Sequence, residues 1–203
     1  YHALFKNVKF MGMILVIAGL PAAYWVYTGV SSLYLVDYLK LDPELFGSYQ
    51  GPIVGTFALF SIAIPALHRR FGLKTCLKLG FISMLIGASA LLGLAIAGRE
   101  SALLTTVFMM FFVGGMVPVN SLLFPSALNM LPVALQGSAQ SLIQALRLLI
   151  ASIGTLSLGI FYHGPFLPVA LILMVMFVLC SVLLFGLRHR LSESGHQAHV
   201  AGH

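Results

Sequence analysis

Arg147 is the residue of this sequence whose surroundings most constrain its chemistry. It stands about ten residues into the run 137–161, GSAQSLIQALRLLIASIGTLSLGIF, which carries no other charge and is long enough to cross a bilayer, a crossing that needs about 20 residues. At 1.5 Å per residue it lies about 15 Å in, near the centre of a ~30 Å hydrocarbon layer. A guanidinium there costs at least ~2.5–3.5 kcal/mol on insertion scales, so it must face protein or water. Gly137, Gln140, Ser141, Gln144, Arg147, Ala151 and Thr155 recur at three- and four-residue steps and share one helical edge. Leu142, Ile143, Leu146, Leu149, Ile150, Ile153 and Leu156 take the other side, towards lipid or neighbouring helices. The run predicts a helix whose polar edge lines a solute route, enclosed by the other spans.

Arg147 has no obvious counter-charge. The acidic residues are Asp37, Asp42, Glu44, Glu100 and Glu193, and none falls within an apolar run. The partner is then a carboxylate on another polypeptide segment, an anionic substrate, or water. A second polar face lies near the start of the chain, where Tyr24, Tyr27 or Thr28, Ser31 and Tyr34 recur at helical spacing with Trp25 adjacent. Rings with a polar handle suit a pocket for amphipathic or flat molecules, and equally an aromatic belt at the membrane surface. Tyr34 is expected in that belt, while Tyr24 and Tyr27 are deep enough to line a cavity. Asn120 and Ser121 beside Pro118 add a polar spot in another run. Asn120 needs a partner there, which a solute or a neighbouring helix would supply.

Enzyme chemistry finds no support. The chain has no paired aspartates within an apolar run, no GxSxG and no HExxH, and His68 and His163 sit in polar turns without a nucleophile to serve. Cys76 and Cys180 have neither CxxC nor metal spacing. The terminal histidines His196, His199 and His203 could hold a metal loosely, but a mobile terminus explains them better. No cofactor is expected.

The elements that carry these residues follow from composition. The chain is 60% hydrophobic and only 8% charged, against about 25% charged in soluble domains, which makes it an integral membrane protein. Its net charge of +6 lies between apolar runs, as orientation signals do, so nucleic acid is not expected as a partner. Six spans are predicted, at 10–36, 46–67, 73–97, 102–130, 136–162 and 165–187, an all-α bundle over 10–190 after a lead-in at 1–9 and before a disordered tail at 191–203. Lys6, Lys9, Arg69, Arg70, Lys74, Lys78, Arg188 and Arg190 fall on one side, with Lys40 and Arg99 opposite beside most of the acids. The positive side is cytoplasmic, so both termini are inside. The start at Tyr1 and the lack of a signal-peptide pattern suggest a piece of something longer or a processed product.

Gly47-Ser48-Tyr49-Gln50 opens the second span and Gly137-Ser138-Ala139-Gln140 the fifth, each downstream of a proline, Pro43 and Pro132. Spans one to three and four to six have opposite orientations, so the match is what a 3+3 inverted repeat predicts, and it adds Gln50 to the cavity-lining set. Gly47, Gly51 and Gly55, and likewise Gly80, Ser83 and Gly87, form stripes that let helices approach. Pro21, Pro52, Pro118 and Pro125 lie within spans and favour kinks, as expected of a cavity or of a moving helix.

At 65–78, PALHRRFGLKTCLK, the chain resembles the major facilitator superfamily, whose second and third helices are joined by a G-x-x-x-D-R-x-G-R-K turn with a weaker copy between the eighth and ninth. Arg70, Gly72 and Lys74 match R-x-G-x-K, while Pro65, Arg69 and Leu73 replace the glycine, the aspartate and the second basic residue, as in the second-half copy. The run 116–137, with NSLLFPSALNMLP, is similar to helix ten and the following turn in drug:proton antiporters, including the Bcr/CflA type. The resemblance spans about residues 8–190. It implies the C-terminal half, helices seven to twelve, of a transporter that rocks around a small-molecule substrate held between this half and an N-terminal six-helix half. Tyr24, Tyr27, Thr28 and Asn120 would then face the central cavity, with the fifth span as another wall. A proton gradient would drive efflux across a bacterial inner membrane, with the acidic proton carriers largely in the other half. A six-helix half-transporter working as a dimer, and a non-transporting membrane scaffold or receptor, remain as alternatives.

Overall fold

In hydrocarbon every backbone polar group must be paired within the protein, and this chain pairs them in helices. The computed structural model describes residues 8–129, 131–161 and 164–200, and among the described residues there is no strand. Residues 1–7 of the expected lead-in, His163, and the side chains of the tail histidines lie outside the described residues.

Helix α1, Val8–Ser32, continues into a wide π-helical turn, Leu33–Tyr38. Lys40, at φ 56, ends it. A short 3-10 turn, Pro43–Leu45, is capped by the Asp42 carboxylate, which accepts from the Glu44 amide at 3.2 Å. Then come α2 (Phe46–Ile96), α3 (Ala102–Leu128), α4 (Val133–Phe161) and α5 (Leu167–Val200). Among the described residues five helices are long and apolar enough to cross a membrane, and in α5 this stretch is Leu167–Leu184. Pro21, Pro52, Pro118 and Pro125 all lie within helical segments, as does Pro65.

The spans expected at 46–67 and 73–97 are a single 51-residue helical element, because His68 to Phe71 stay helical where a loop was expected. Its one break is Gly72, at φ 76 and ψ 165, a left-handed conformation that a side chain would strain. The two arms, 46–71 and 73–96, fold back on each other there. A Cβ placed on Gly114 of α3 would lie 3.4 Å from the Phe60 ring and from Thr56 of the first arm, and one placed on Gly115 would lie 2.7 Å from Met84 of the second. On an unbroken rod Phe60 and Met84 would be about 36 Å apart, so they could not meet adjacent residues of one helix.

The packing of α1 on α4 agrees. Arg147 meets Ile17, Gly154 meets Val26 and Thr155 meets Gly29, so the two helices run parallel. Reversals at 39–45, 97–101 and 129–132 alone would leave them antiparallel, and the reversal at Gly72 supplies the missing one. The second arm and α3 run antiparallel in tight contact: a Cβ on Gly87 would stand 2.6 Å from the Phe112 amide, and the Ser83 hydroxyl donates to the Phe111 carbonyl at 2.8 Å. Small residues thus bring these backbones together as the Gly80–Ser83–Gly87 stripe predicts. The other stripe does not behave so, since nothing lies within 4 Å of a Cβ at Gly47, Gly51 or Gly55.

Candidate functional site

Arg147 is half-buried between α4 and α1. One terminal nitrogen donates to the Ile17 carbonyl at a long 3.5 Å, and its buried Nε has no hydrogen-bond partner. The face of α4 that closes on the bundle carries Ala139, Ile143, Gly154 and Leu158. Gln140 and Gln144 are exposed, as are Leu148, Leu149, Ile153 and Leu156. The expectation that the other spans enclose the polar edge is therefore met only in part within this chain. The exposed part of that edge lies in the N-terminal half of α4: further along the same edge Arg147 reaches the Ile17 carbonyl and Thr155 lies against Gly29, while Gln140 and Gln144 stay outside the packed face.

On α1 the aromatic face divides. Tyr27 is fully buried, edge-on to Phe166 at 6.2 Å, with its hydroxyl beside the Gln50 side chain. The pair makes no well-formed hydrogen bond, since neither the Tyr27 hydroxyl nor Gln50 Nε2 has a partner of good geometry. Tyr24 is half-buried, and Trp25 stays 54% exposed. The Thr28 hydroxyl donates to the Tyr24 carbonyl at 3.0 Å and that of Ser31 to the Thr28 carbonyl at 2.9 Å, so each is left only its acceptor lone pairs to offer a solute. Tyr34 is not in a surface belt. It is fully buried, its hydroxyl lies 3.1 Å from Thr105 Oγ1, and its ring packs on Phe166 at 4.6 Å.

The polar groups fall at two depths. Tyr27 and Gln50 form an upper pair. Ile17, which meets Arg147, lies about 25 Å below the Tyr34–Thr105 contact along α1, and Asn120 lies about 22 Å below it along α3. Arg147 and Asn120 are thus level with one another on different helices, and the Asn120 Oδ1 is likewise buried without a partner. Unpaired buried donors and acceptors cost roughly 1–3 kcal/mol each, which puts Tyr27, Gln50, Asn120 and Arg147 among the polar positions of the helices most open to a further partner.

The basic turn is open. Arg69, Arg70, Gly72 and Lys74 are all exposed, with the Arg70 guanidinium 5.5 Å from the Phe71 ring centre. A site that sequence reasoning missed lies at the opposite end. Glu100 Oε1 accepts from the Phe166 amide at 3.0 Å, while Oε2 is buried and unpartnered. Burial pushes this carboxyl above the ordinary acid range, more than the Phe166 bond pulls it down. No sequence signal joins Glu100 to Phe166, because the contact exists only once α1 brings the two turns together. Among the described residues no group of three or more His, Cys, Asp or Glu could hold a metal ion. No family model matches the chain, and no curated protein matches it.

Proposed function

We propose that the chain is a six-crossing half of a secondary transporter of the major facilitator type, working by alternating access. Counting each arm of α2 as one crossing gives six in up-and-down order, the arrangement a 3+3 inverted repeat requires. The observation that carries the reading is Arg147 at mid-depth, paired only with a distant backbone carbonyl and keeping a bare Nε, on a helix whose exposed edge bears Gln140 and Gln144. Amides and a guanidinium facing lipid would be costly, so that edge calls for a second bundle with a wet route between the two. The open Gly47–Gly51–Gly55 stripe would offer that bundle a close-packing surface.

The second bundle is an N-terminal half of the same transporter, or a second copy of this chain. The activity is proton-coupled efflux of a small amphipathic compound or metabolite, as the resemblance implies. Two measurements test the reading. Cysteine at Gln144 should be labelled by impermeant reagents from either side of the membrane in turn, whereas a static scaffold or receptor would show one side only. Arg147→Ala should abolish solute flux in proteoliposomes while leaving the fold intact, and normal flux would remove Arg147 from the mechanism.

A further inference from the structure

The turn at Gly72 carries chemistry that a solute route along α4 does not account for. The first arm of α2 ends in His68, Arg69 and Arg70, and the second begins with Leu73 and Lys74, all exposed. Phe71 and Leu73, which flank the glycine, are 50% and 40% exposed, and Arg70 sits over the Phe71 ring. Along the second arm Cys76 and Gly80 are buried against the bundle. Lys74 and Lys78 lie about half a turn round from Cys76 and are exposed. One step further the same outward stripe turns apolar, with Ile82, Leu85 and Ile86 all exposed. A stripe that passes from ammonium groups to bare aliphatics is that of a helix leaving the headgroup layer for hydrocarbon. Among the described side chains the acids do not compete for these cations: Asp42 and Glu44 precede one arm and Glu100 follows the other, at the ends far from the turn, and Asp37 lies before them in the π-helical turn after α1.

We infer that Arg69, Arg70, Lys74 and Lys78, with Phe71 and Leu73 beside them, form a binding surface for anionic phospholipid headgroups. Charge bias alone would orient the chain wherever the cations stood. Here Lys74 and Lys78 share a face of the second arm with the exposed aliphatics, and Arg69 and Arg70 stand just across the turn, so the phosphate meets the cations while the acyl chains run along Ile82, Leu85 and Ile86. A soluble anion would use the cations and ignore the apolar residues. Each cation near a charged leaflet contributes about a fivefold gain in affinity, and salt screens it.

The test titrates the full chain in neutral detergent with phosphatidylglycerol or with phosphatidylcholine of the same acyl chains, reading the thermal midpoint and, by native mass spectrometry, the lipid retained. Phosphatidylglycerol should raise the midpoint and stay bound, and phosphatidylcholine should do neither. The variant R69Q/R70Q/K74Q/K78Q should bind phosphatidylglycerol at least tenfold more weakly at unchanged helicity, and Phe71→Ser with Leu73→Ser should weaken it with every cation in place. If the fourfold variant does not fold, Arg69→Gln and Lys78→Gln singly should each lose about fivefold. Equal responses to the two lipids, undiminished binding in the glutamine variants, or inorganic phosphate reproducing the shift would each overturn the assignment, the last by making it a site for soluble anions.

Discussion

Glu100 accepts the backbone amide of Phe166 at 3.0 Å, and through that one bond the turn between α2 and α3 caps the entry to α5. The carboxylate adds favourable charge at a helix N-terminus, but its second oxygen is buried without a donor. Desolvation wins, and the folded protein holds this proton more tightly than the unfolded chain does. In the window between the two values the native state binds more protons, so stability falls as pH rises. The contribution is complete below the ordinary carboxylic-acid value and is lost as pH rises through the raised one. Thermal unfolding from mildly acidic to neutral pH should show a decline that Glu100→Gln abolishes, because the amide oxygen still accepts from Phe166 without a charge to bury. Glu100→Ala should be less stable than Glu100→Gln by about 1 kcal/mol, the value of a lost cap.

Gly115 makes a second prediction. A Cβ there would collide with the Gly80 carbonyl and lie 2.7 Å from the Met84 amide, atoms of backbone that cannot swing aside. Gly115→Ala should cost about 1–3 kcal/mol in reversible unfolding, as overpacked cores do. Gly51→Ala meets nothing within 4 Å and should be neutral or slightly stabilising in the isolated chain, since alanine favours helix by about 1 kcal/mol. Loss of stability at Gly51 comparable to that at Gly115 would show that the stripe packs against something after all.

The contrast between these two glycines shows what the sequence could convey. Hydropathy located the helices because apolar length and periodicity act on each segment alone. It did not say which small residues meet, since Gly47–Gly51–Gly55 and Gly80–Ser83–Gly87 look alike until α3 presents Gly115 and the Phe112 backbone to the second of them. The same limit governed Tyr34. Its position near the end of an apolar run suggested a surface belt, whereas Thr105 and Phe166, remote in sequence, enclose it. Arg147 and Asn120 were legible as polar residues in apolar runs, but their common depth required the register of α1 against α3 and α4.

The Tyr34–Thr105 contact can be weighed directly. Both residues are buried and the bond joins α1 to α3. Tyr34→Phe should cost about 1 kcal/mol, and so should Thr105→Val. The double variant should be less destabilised than the sum of the two, with a coupling of roughly 0.5–1.5 kcal/mol. Strict additivity would mean that the hydroxyls satisfy one another only incidentally.

The reversal at Gly72 is open to a distance measurement. Ile62 and Ile82 lie equally far on either side of it and are both exposed, so spin labels there replace no core contact. On a continuous helix the labels would be about 30 Å apart along the axis. Folded arms put them at one level, separated by roughly one or two helix spacings of 8–10 Å each. Gly72→Ala should cost about 1–2 kcal/mol through backbone strain alone, because its φ of 76 disfavours a side chain while nothing within 4 Å would touch the new methyl group. If that variant keeps the short label distance, the hairpin is held by the grip of Gly114 and Gly115 on the two arms. If the distance lengthens towards that of a straight rod, the glycine itself sets the fold of α2, and the parallel packing of α1 on α4 should be lost with it.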